Sequence, residues 1–229
     1  MNPLDNPVWH ALKGPLSRFA ETGSGGAVVR FRPEVSIFAA VERIDGVAWE
    51  ALAELVGTGG AVFLFRDVVP PLPPGWREIF RSPTYQMLAG ELPRVPDLPI
   101  VSLGEADVEE MLALTQLTAP GPFLARTHEL GIYEGVRQQG RLVAMAGERF
   151  RLPGWTEISA VCTHPDAQRQ GLGAALTLSV AHQIRARGDE AFLHLVETNE
   201  TAKRLYESIG FSVRRKVDVV GAVWDGSQP

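Results

Sequence analysis

Three apolar segments, IYEGVR (Ile132–Arg137), RLVAMAGERFR (Arg141–Arg151) and WTEISAVCTH (Trp155–His164), are separated only by short turns ending in Gly140 and Gly154. Connections of that length cannot hold a crossover helix, so the three strands are expected to run as an antiparallel meander. Everything downstream must be built onto that sheet.

The following residues alternate helix and strand. Leu172, Leu176, Val180 and Ile184 recur at four-residue intervals, which predicts a helix from about Gln170 to Arg187 with Gly188 as its stop. AFLHLVE (Ala191–Glu197) reads as a continuous apolar strand. ETAKRLYESIG (Glu200–Gly210) reads as a short helix with Ala202, Leu205 and Ile209 inward, and FSVRRKVDVVGAVW (Phe211–Trp224) as the final strand or strands. Before the meander, GEADVEEMLALTQL (Gly104–Leu117) is helical with Val108, Met111, Leu112 and Thr115 on one face, and TAPGPFLARTHELG (Thr118–Gly131) is a loop with a short helix. The order implies an α/β unit with a mixed sheet.

Residues 1–97 carry weaker patterning. DGVAWEALAELVG (Asp45–Gly57) is an amphipathic helix ended by Gly57, GGAVFLFRDV (Gly59–Val68) a buried strand, and TYQMLAGEL (Thr84–Leu92) a further strand. VVPPLPPGW (Val68–Trp76) must be a loop. LPRVPDLPI (Leu92–Ile100) is the best linker, dividing a smaller α/β domain (1–97) from a larger one (98–229).

Composition removes several function classes. The chain has 229 residues and a net charge of −5, with acidic and basic residues interspersed, so no basic patch points to nucleic acid. Cys162 is the only cysteine, which excludes an internal disulfide and a cysteine-based metal cluster, and the five histidines show no metal-ligand spacing. The opening residues lack a signal-peptide pattern and no segment has the ~20 apolar residues of a membrane span. A soluble, cytoplasmic protein with no metal, membrane or nucleic-acid partner is expected, its oligomeric state open.

HPDAQRQGLGAAL (His164–Leu176) places Gly171 and Gly173 at the mouth of the long helix, where each costs about 1 kcal/mol relative to alanine. The first turn of a helix has backbone N–H groups without internal partners, and its dipole favours an anion. Glycines there let a phosphate approach the backbone, with Gln168 and Arg169 as further donors. A tight turn that lets the helix pack closely on the sheet accounts for the same glycines. A Walker A loop is excluded because no lysine is present, and a dinucleotide fingerprint because the third glycine is missing.

The segment resembles motif A of the GNAT superfamily of acetyltransferases, Gln/Arg-x-x-Gly-x-Gly/Ala, with Gln168, Gly171 and Gly173 at its positions. NETAKRLYESIGF (Asn199–Phe211) resembles motif B of the same family through Asn199, Ala202, Leu205, Tyr206, Gly210 and Phe211. The likeness covers residues 98–229. It implies a mainly antiparallel sheet flanked by helices, with acetyl-CoA or another acyl-CoA as co-substrate. The two-part organisation is similar to that of glycine N-acyltransferase relatives, whose first half is a degenerate acyltransferase-like unit.

Acyl transfer to an amine needs a base for the amine, donors for the oxyanion and an acid for the departing thiolate. The resemblance implies that Val161, Cys162 and Thr163 offer backbone groups to the pantetheine arm where their strand splays from AFLHLVE. It implies that Gln168, Arg169, Gln170, Gly171, Leu172, Gly173 and Ala174 cradle the pyrophosphate, and that Asn199 lies near the arm, a position that also suits a helix N-cap. Tyr206 matches the family's proton donor, and a packing aromatic is its plainer role. Glu157, fourteen positions before Gly171, matches the strand glutamate that activates the amine; apolar surroundings would raise its pKa, whereas solvent or an ion pair would make it structural. Glu148 and His128 are weaker candidates for the base. Cys162 lies in an apolar strand with nothing to make it a thiolate, so covalent catalysis is rejected. The expected activity is transfer of acetyl from acetyl-CoA to a primary amine on a small molecule or peptide, by direct attack in a ternary complex. The alternatives are a non-catalytic acyl-CoA-binding or sensor protein and, more remotely, a nucleotide-binding protein.

Overall fold

The two meander turns close as the sequence requires. Gln139 (φ 53°) and Gly140 (φ 82°) both adopt the left-handed conformation that a two-residue hairpin favours, and Gly154 (φ 76°) follows Pro153 in the second turn. The computed structural model describes residues 2–226. In chain order its elements are α1 (Pro7–Leu12), β1 (Ala20–Thr22), β2 (Val28–Phe31), β3 (Ala39–Val41), α2 (Gly46–Val56), β4 (Ala61–Arg66) and β5 (Trp76–Ala89). There follow β6 (Ile100–Leu103), α3 (Val108–Thr118), β7 (Tyr133–Gln138), β8 (Arg141–Leu152), β9 (Trp155–Thr163) and α4 (Leu172–Ala186). The last three are β10 (Glu190–Val196), α5 (Glu200–Ser208) and β11 (Phe211–Trp224), with short 3-10 turns between elements, among them Pro165–Ala167 and Thr127–Leu130.

β1, β2 and β3 form a small sheet, and the other eight strands form one large sheet in the order β4-β11-β5-β10-β9-β8-β7-β6. Only β9 and β10 run parallel; the remaining neighbours in the large sheet are antiparallel. The expected mixed, mainly antiparallel α/β fold is therefore the observed one.

The division at residue 97 does not divide the sheet. β5, from the first stretch, lies between β10 and β11 from the second, pairing Leu193 with Met87 on one side and Val213 with Met87 on the other. The proline-rich segment is an ordered strap and not a free linker. Leu92, Val95 and Leu98 pack on the main core, and the Pro93 carbonyl lies 2.9 Å from His182 Nε2.

Two cores cover the two faces of the sheet. On one, Leu172, Leu176, Val180 and Ile184 of α4 pack on Ile158 and Leu193, as their spacing predicts. On the other, Leu4, Val8 and Leu12 pack with Phe150, Phe192 and Val217. Each such side chain contributes roughly 1.5–3 kcal/mol on burial. α3 covers the β7–β9 region with Met111 and Leu114; Met111 and Thr115 are buried as expected, and Leu114 takes the buried position expected for Leu112. No helix among the described residues is long and apolar enough to cross a membrane.

Because β10 and β11 meet only through β5, residues 98–229 expressed alone should give no cooperative thermal transition by circular dichroism. A fragment that melts with native-like cooperativity would contradict this dependence.

Candidate functional site

β9 and β10 pair from Glu190↔Trp155 to Leu193↔Ile158 and then part. From Ser159 to Thr163 the β10-facing edge of β9 has no strand partner, so its backbone groups border a wedge. The cause is visible on the other edge. The register against β8 shifts between the pairs Gly147↔Ser159 and Met145↔Cys162, and Ala160 in that bulge has φ 54°. A left-handed alanine inside a strand is held against a local preference of roughly 1–3 kcal/mol, and such bulges re-aim the backbone. Nothing in the apolar run EISAVCT marks Ala160 in advance.

The turn between β9 and α4 gives its two glycines different reasons. Gly171 is the N-cap of α4 at φ 75°, and an added Cβ there would meet nothing within 4 Å, so its backbone conformation selects glycine. Gly173 has no such conformation. A Cβ on it would lie 3.8 Å from Thr163 Oγ1, Val161 Cγ1 and Leu205 Cδ1, which is ordinary contact, so neither strain nor crowding by the protein demands glycine. The space over Gly173 adjoins β9 and α5 together. Arg169 is also left-handed (φ 62°), and with Gly171 and the intervening Gln170 it curls the chain into a nest of amides. Among the described residues the amides of Arg169 to Ala174 donate to no backbone carbonyl, and the first to re-enter the helix pattern is Ala175, bonded to Gly171 at 3.0 Å. This donor set, a dipole end plus clearance for backbone approach, fits a pyrophosphate followed by a pantetheine chain along β9. Gln170 Oε1 accepts from Gln138 Nε2 at 2.9 Å, which ties the nest to the turn after β7.

Asn199 caps α5, its Oδ1 accepting from the Ala202 amide at 3.0 Å. Two turns beyond Asn199, Tyr206 is buried against Phe211, with ring centroids 6.1 Å apart. Its hydroxyl makes no hydrogen bond to another group among the described residues. Burial above all, and then the neighbouring Cys162, push its pKa up, so the phenol keeps its proton. Cys162 is itself buried and its thiol is pushed up to about 11 by burial, so it stays protonated at neutral pH.

Glu157 lies one rung before the fork, on the face opposite α4, and is completely buried. Its Oε1 accepts from Arg149 Nη2 at 2.6 Å and its Oε2 from Arg149 Nε at 2.9 Å, while His194 Nδ1 lies 2.6 Å from Oε1. The raised pKa expected from apolar surroundings is reversed. Burial does push upward, but the charge of Arg149, the interaction with His194 and their hydrogen bonds outweigh it and hold the carboxyl at about 2. The Arg149 guanidinium is sandwiched in turn by Phe38, Phe65 and Phe150, 4.9, 5.4 and 4.6 Å from the ring centroids.

Glu148 and His128 stand apart from the nest. Glu148 accepts from Arg187 Nη2 at 2.5 Å; Arg187 follows the last residue of α4, a 15-residue helix, so this pair sits about 22 Å along the axis from the glycines. Burial raises the Glu148 pKa despite Arg187. His128 lines a separate hollow with Glu105, Val108, Ala125, Arg126 and Glu129. Nothing in the sequence pattern singles out Arg149 or Gln86; a histidine in the middle of the apolar run AFLHLV is the signal that points to His194.

The Glu157 pair dictates a pH response. With a folded pKa below its ordinary value of 4.5, Glu157 contributes stability that is complete above about pH 4.5 and lost as pH falls toward about 2. Glu157→Gln leaves Arg149 buried without its countercharge and should lower the unfolding free energy by about 3–5 kcal/mol at pH 7. It should also flatten this acid limb, as read by urea titrations across pH; an unchanged limb would remove Glu157 as its source.

The description "FR47-like protein" belongs to the family model that matches residues 129–220. A Novosphingobium aromaticivorans structure assigned to the GNAT acetyltransferases superimposes with a TM-score of 0.89 at 40% identity, covering 98% of this chain and 99% of that one. A GCN5-related N-acetyltransferase from Kribbella flavida shares the fold at a TM-score of 0.70 and 20% identity, over 99% and 98% of the two chains. The mycothiol acetyltransferase of Thermomonospora curvata is 40% identical over 84 residues, 36% of this chain and 28% of that protein. The chain thus spans between 19% and 28% of the length of the curated relatives it matches. Identity of 40% over nearly the whole of both chains, with the glycine turn and the forked strands in place, shows that this chain belongs to the GNAT family.

Proposed function

We propose that this chain transfers an acetyl group from acetyl-CoA to a primary amine on a small molecule or peptide, by direct attack in a ternary complex. The observation that carries the reading is the clearance over Gly173, which the fold does not need for itself and which joins the amide nest to the open edge of β9. Acetyl-CoA supplies the activated thioester. The amides from Arg169 to Ala174 hold its pyrophosphate, and the backbone of Val161 to Thr163 aligns its pantetheine arm as an added strand. An amide at the Ala160 bulge faces the developing oxyanion. As the amine nitrogen bonds to the carbonyl carbon and the C–S bond breaks, Tyr206, buried, protonated and without a protein partner, gives its proton to the departing thiolate and recovers one from the amine nitrogen.

Glu157 serves in this reading as a structural anion rather than as the base, since both its oxygens are committed and its pKa is low. The mycothiol acetyltransferases, matched over a fraction of their length, speak for acetyl transfer and not for the acceptor. The likeness to glycine N-acyltransferases rests on the two-part sequence organisation alone. A second reading, an acyl-CoA-binding protein without turnover, is favoured by one observation, the sealing of Glu157. Release of free thiol from acetyl-CoA with a panel of amines and amino acids decides between them; CoA binding without thiol release would favour the second.

Two substitutions test the donor site. Gly173→Ala has room in the fold and should stabilise the free protein by up to about 1 kcal/mol through helix propensity, yet weaken CoA binding; Gly173→Glu should abolish binding while leaving the protein folded. Calorimetric titration with CoA reads both, and unchanged affinity in a folded Gly173→Glu protein would overturn the assignment. Tyr206→Phe should lower kcat about a hundredfold with the CoA affinity kept, measured by steady-state kinetics.

A further inference from the structure

We infer that His194 is a positioning residue that fixes the angle at which β9 and β10 part, and with it the width of the groove that takes the pantetheine arm. The inference rests on the acetyl-CoA reading above for its consequence, though not for its geometry. Main-chain pairing between the two strands ends at Leu193↔Ile158. His194 is the first residue of β10 beyond that point, and its Nδ1 reaches back across the fork to Glu157 Oε1 at 2.6 Å. The two residues are diagonal neighbours on one face, a spacing that long side chains can bridge. On its other side His194 pairs with Gln86 of β5, whose Nε2 lies 3.1 Å from His194 Nε2.

The neighbours also fix the ring's protons. Gln86 Oε1 accepts from Arg214 Nη1 at 2.7 Å, and Gln86 Nε2 donates to the Leu4 carbonyl at 2.9 Å, so the amide cannot be flipped without losing both bonds. Its second N–H therefore points at His194 Nε2, which must accept, leaving Nδ1–H to donate to Glu157. Phe65 stacks on the imidazole with centroids 4.5 Å apart and 31° between planes, holding the ring in the orientation both bonds require. β10 is thus tied to β5 and to Glu157, one rung before the last pair with β9, while the Ala160 bulge carries the rest of β9 away.

Two variants separate this role from mere packing. His194→Phe keeps an aromatic ring against Phe65 but loses both hydrogen bonds. His194→Asn loses the ring but keeps a donor near the place of Nδ1. Positioning predicts that His194→Phe raises the Kd for CoA about tenfold, while His194→Asn stays within about threefold. It also predicts faster amide hydrogen exchange at residues 159–163 in His194→Phe than in His194→Asn. A packing role predicts the reverse order, and that order, or wild-type affinity and exchange in a folded His194→Phe protein, would overturn the inference. If His194→Phe fails to fold, His194→Leu supplies the same loss of both bonds. If the wild-type protein itself binds no CoA, the acetyl-CoA reading fails, and the exchange comparison still decides whether His194 holds the fork.

Discussion

A row of polar side chains crosses five neighbouring strands on the face of the sheet turned away from α4. It runs from Arg149 on β8 through Glu157 on β9, His194 on β10 and Gln86 on β5 to Arg214 on β11, and ends on Asp5, which accepts from Arg214 Nη2 at 2.6 Å. Charges along it alternate and cancel, and Glu157 and Gln86 near its middle are fully buried. A half-satisfied network in that position would be worse than an apolar core, because each orphaned group would keep its desolvation penalty. Both ends lie at irregularities of strand pairing: the register shifts around Arg149 against β9 and around Arg214 against β5. Bulges of this kind turn a side chain that would otherwise follow the pleat. The row fastens the N-terminal residues to the sheet, since Leu4 and Asp5 supply two of its acceptors.

The two faces of the sheet consequently do different work. The face with the polar row is closed by Phe38, Phe65 and Phe150 and by the residues around α1, and it fixes the strands where they fork. The face under α4 and α5 is closed by aliphatic packing, and at Gly173 it leaves room for a methyl group in ordinary contact with Val161, Thr163 and Leu205. The fork needs both. Rigid pairing up to Ile158 and a bulge just after it produce a wedge of fixed shape, and pre-organised backbone donors are effective because they require no rearrangement when the ligand arrives.

Much of this was legible in the residues because it depends on near neighbours in the chain. Gly140 and Gly154 mark the turns of the meander, the four-residue spacing from Leu172 to Ile184 marks the buried face of α4, and Asn199 marks the start of α5. What escaped reading depends on distant partners. TYQMLAGEL reads as a strand, but nothing within it says that it enters between β10 and β11. Leu92, Val95 and Leu98 look like linker residues because prolines surround them, and only the α4 core shows why they are ordered. Glu157 looks like a carboxylate in an apolar strand because Arg149, eight residues away, reaches it only across the β8–β9 pair.

The sequence by itself therefore determined the local elements, the glycine turn at Gly171 and Gly173 and the alternation that makes an α/β protein, since each follows from backbone preference and periodicity over a few residues. Tertiary structure alone decided the sheet order, the fork and the charge state of Glu157. Those depend on which strands become neighbours. A carboxylate's pKa is set by the groups within a few ångströms of it, and here they come from two other strands, β8 and β10.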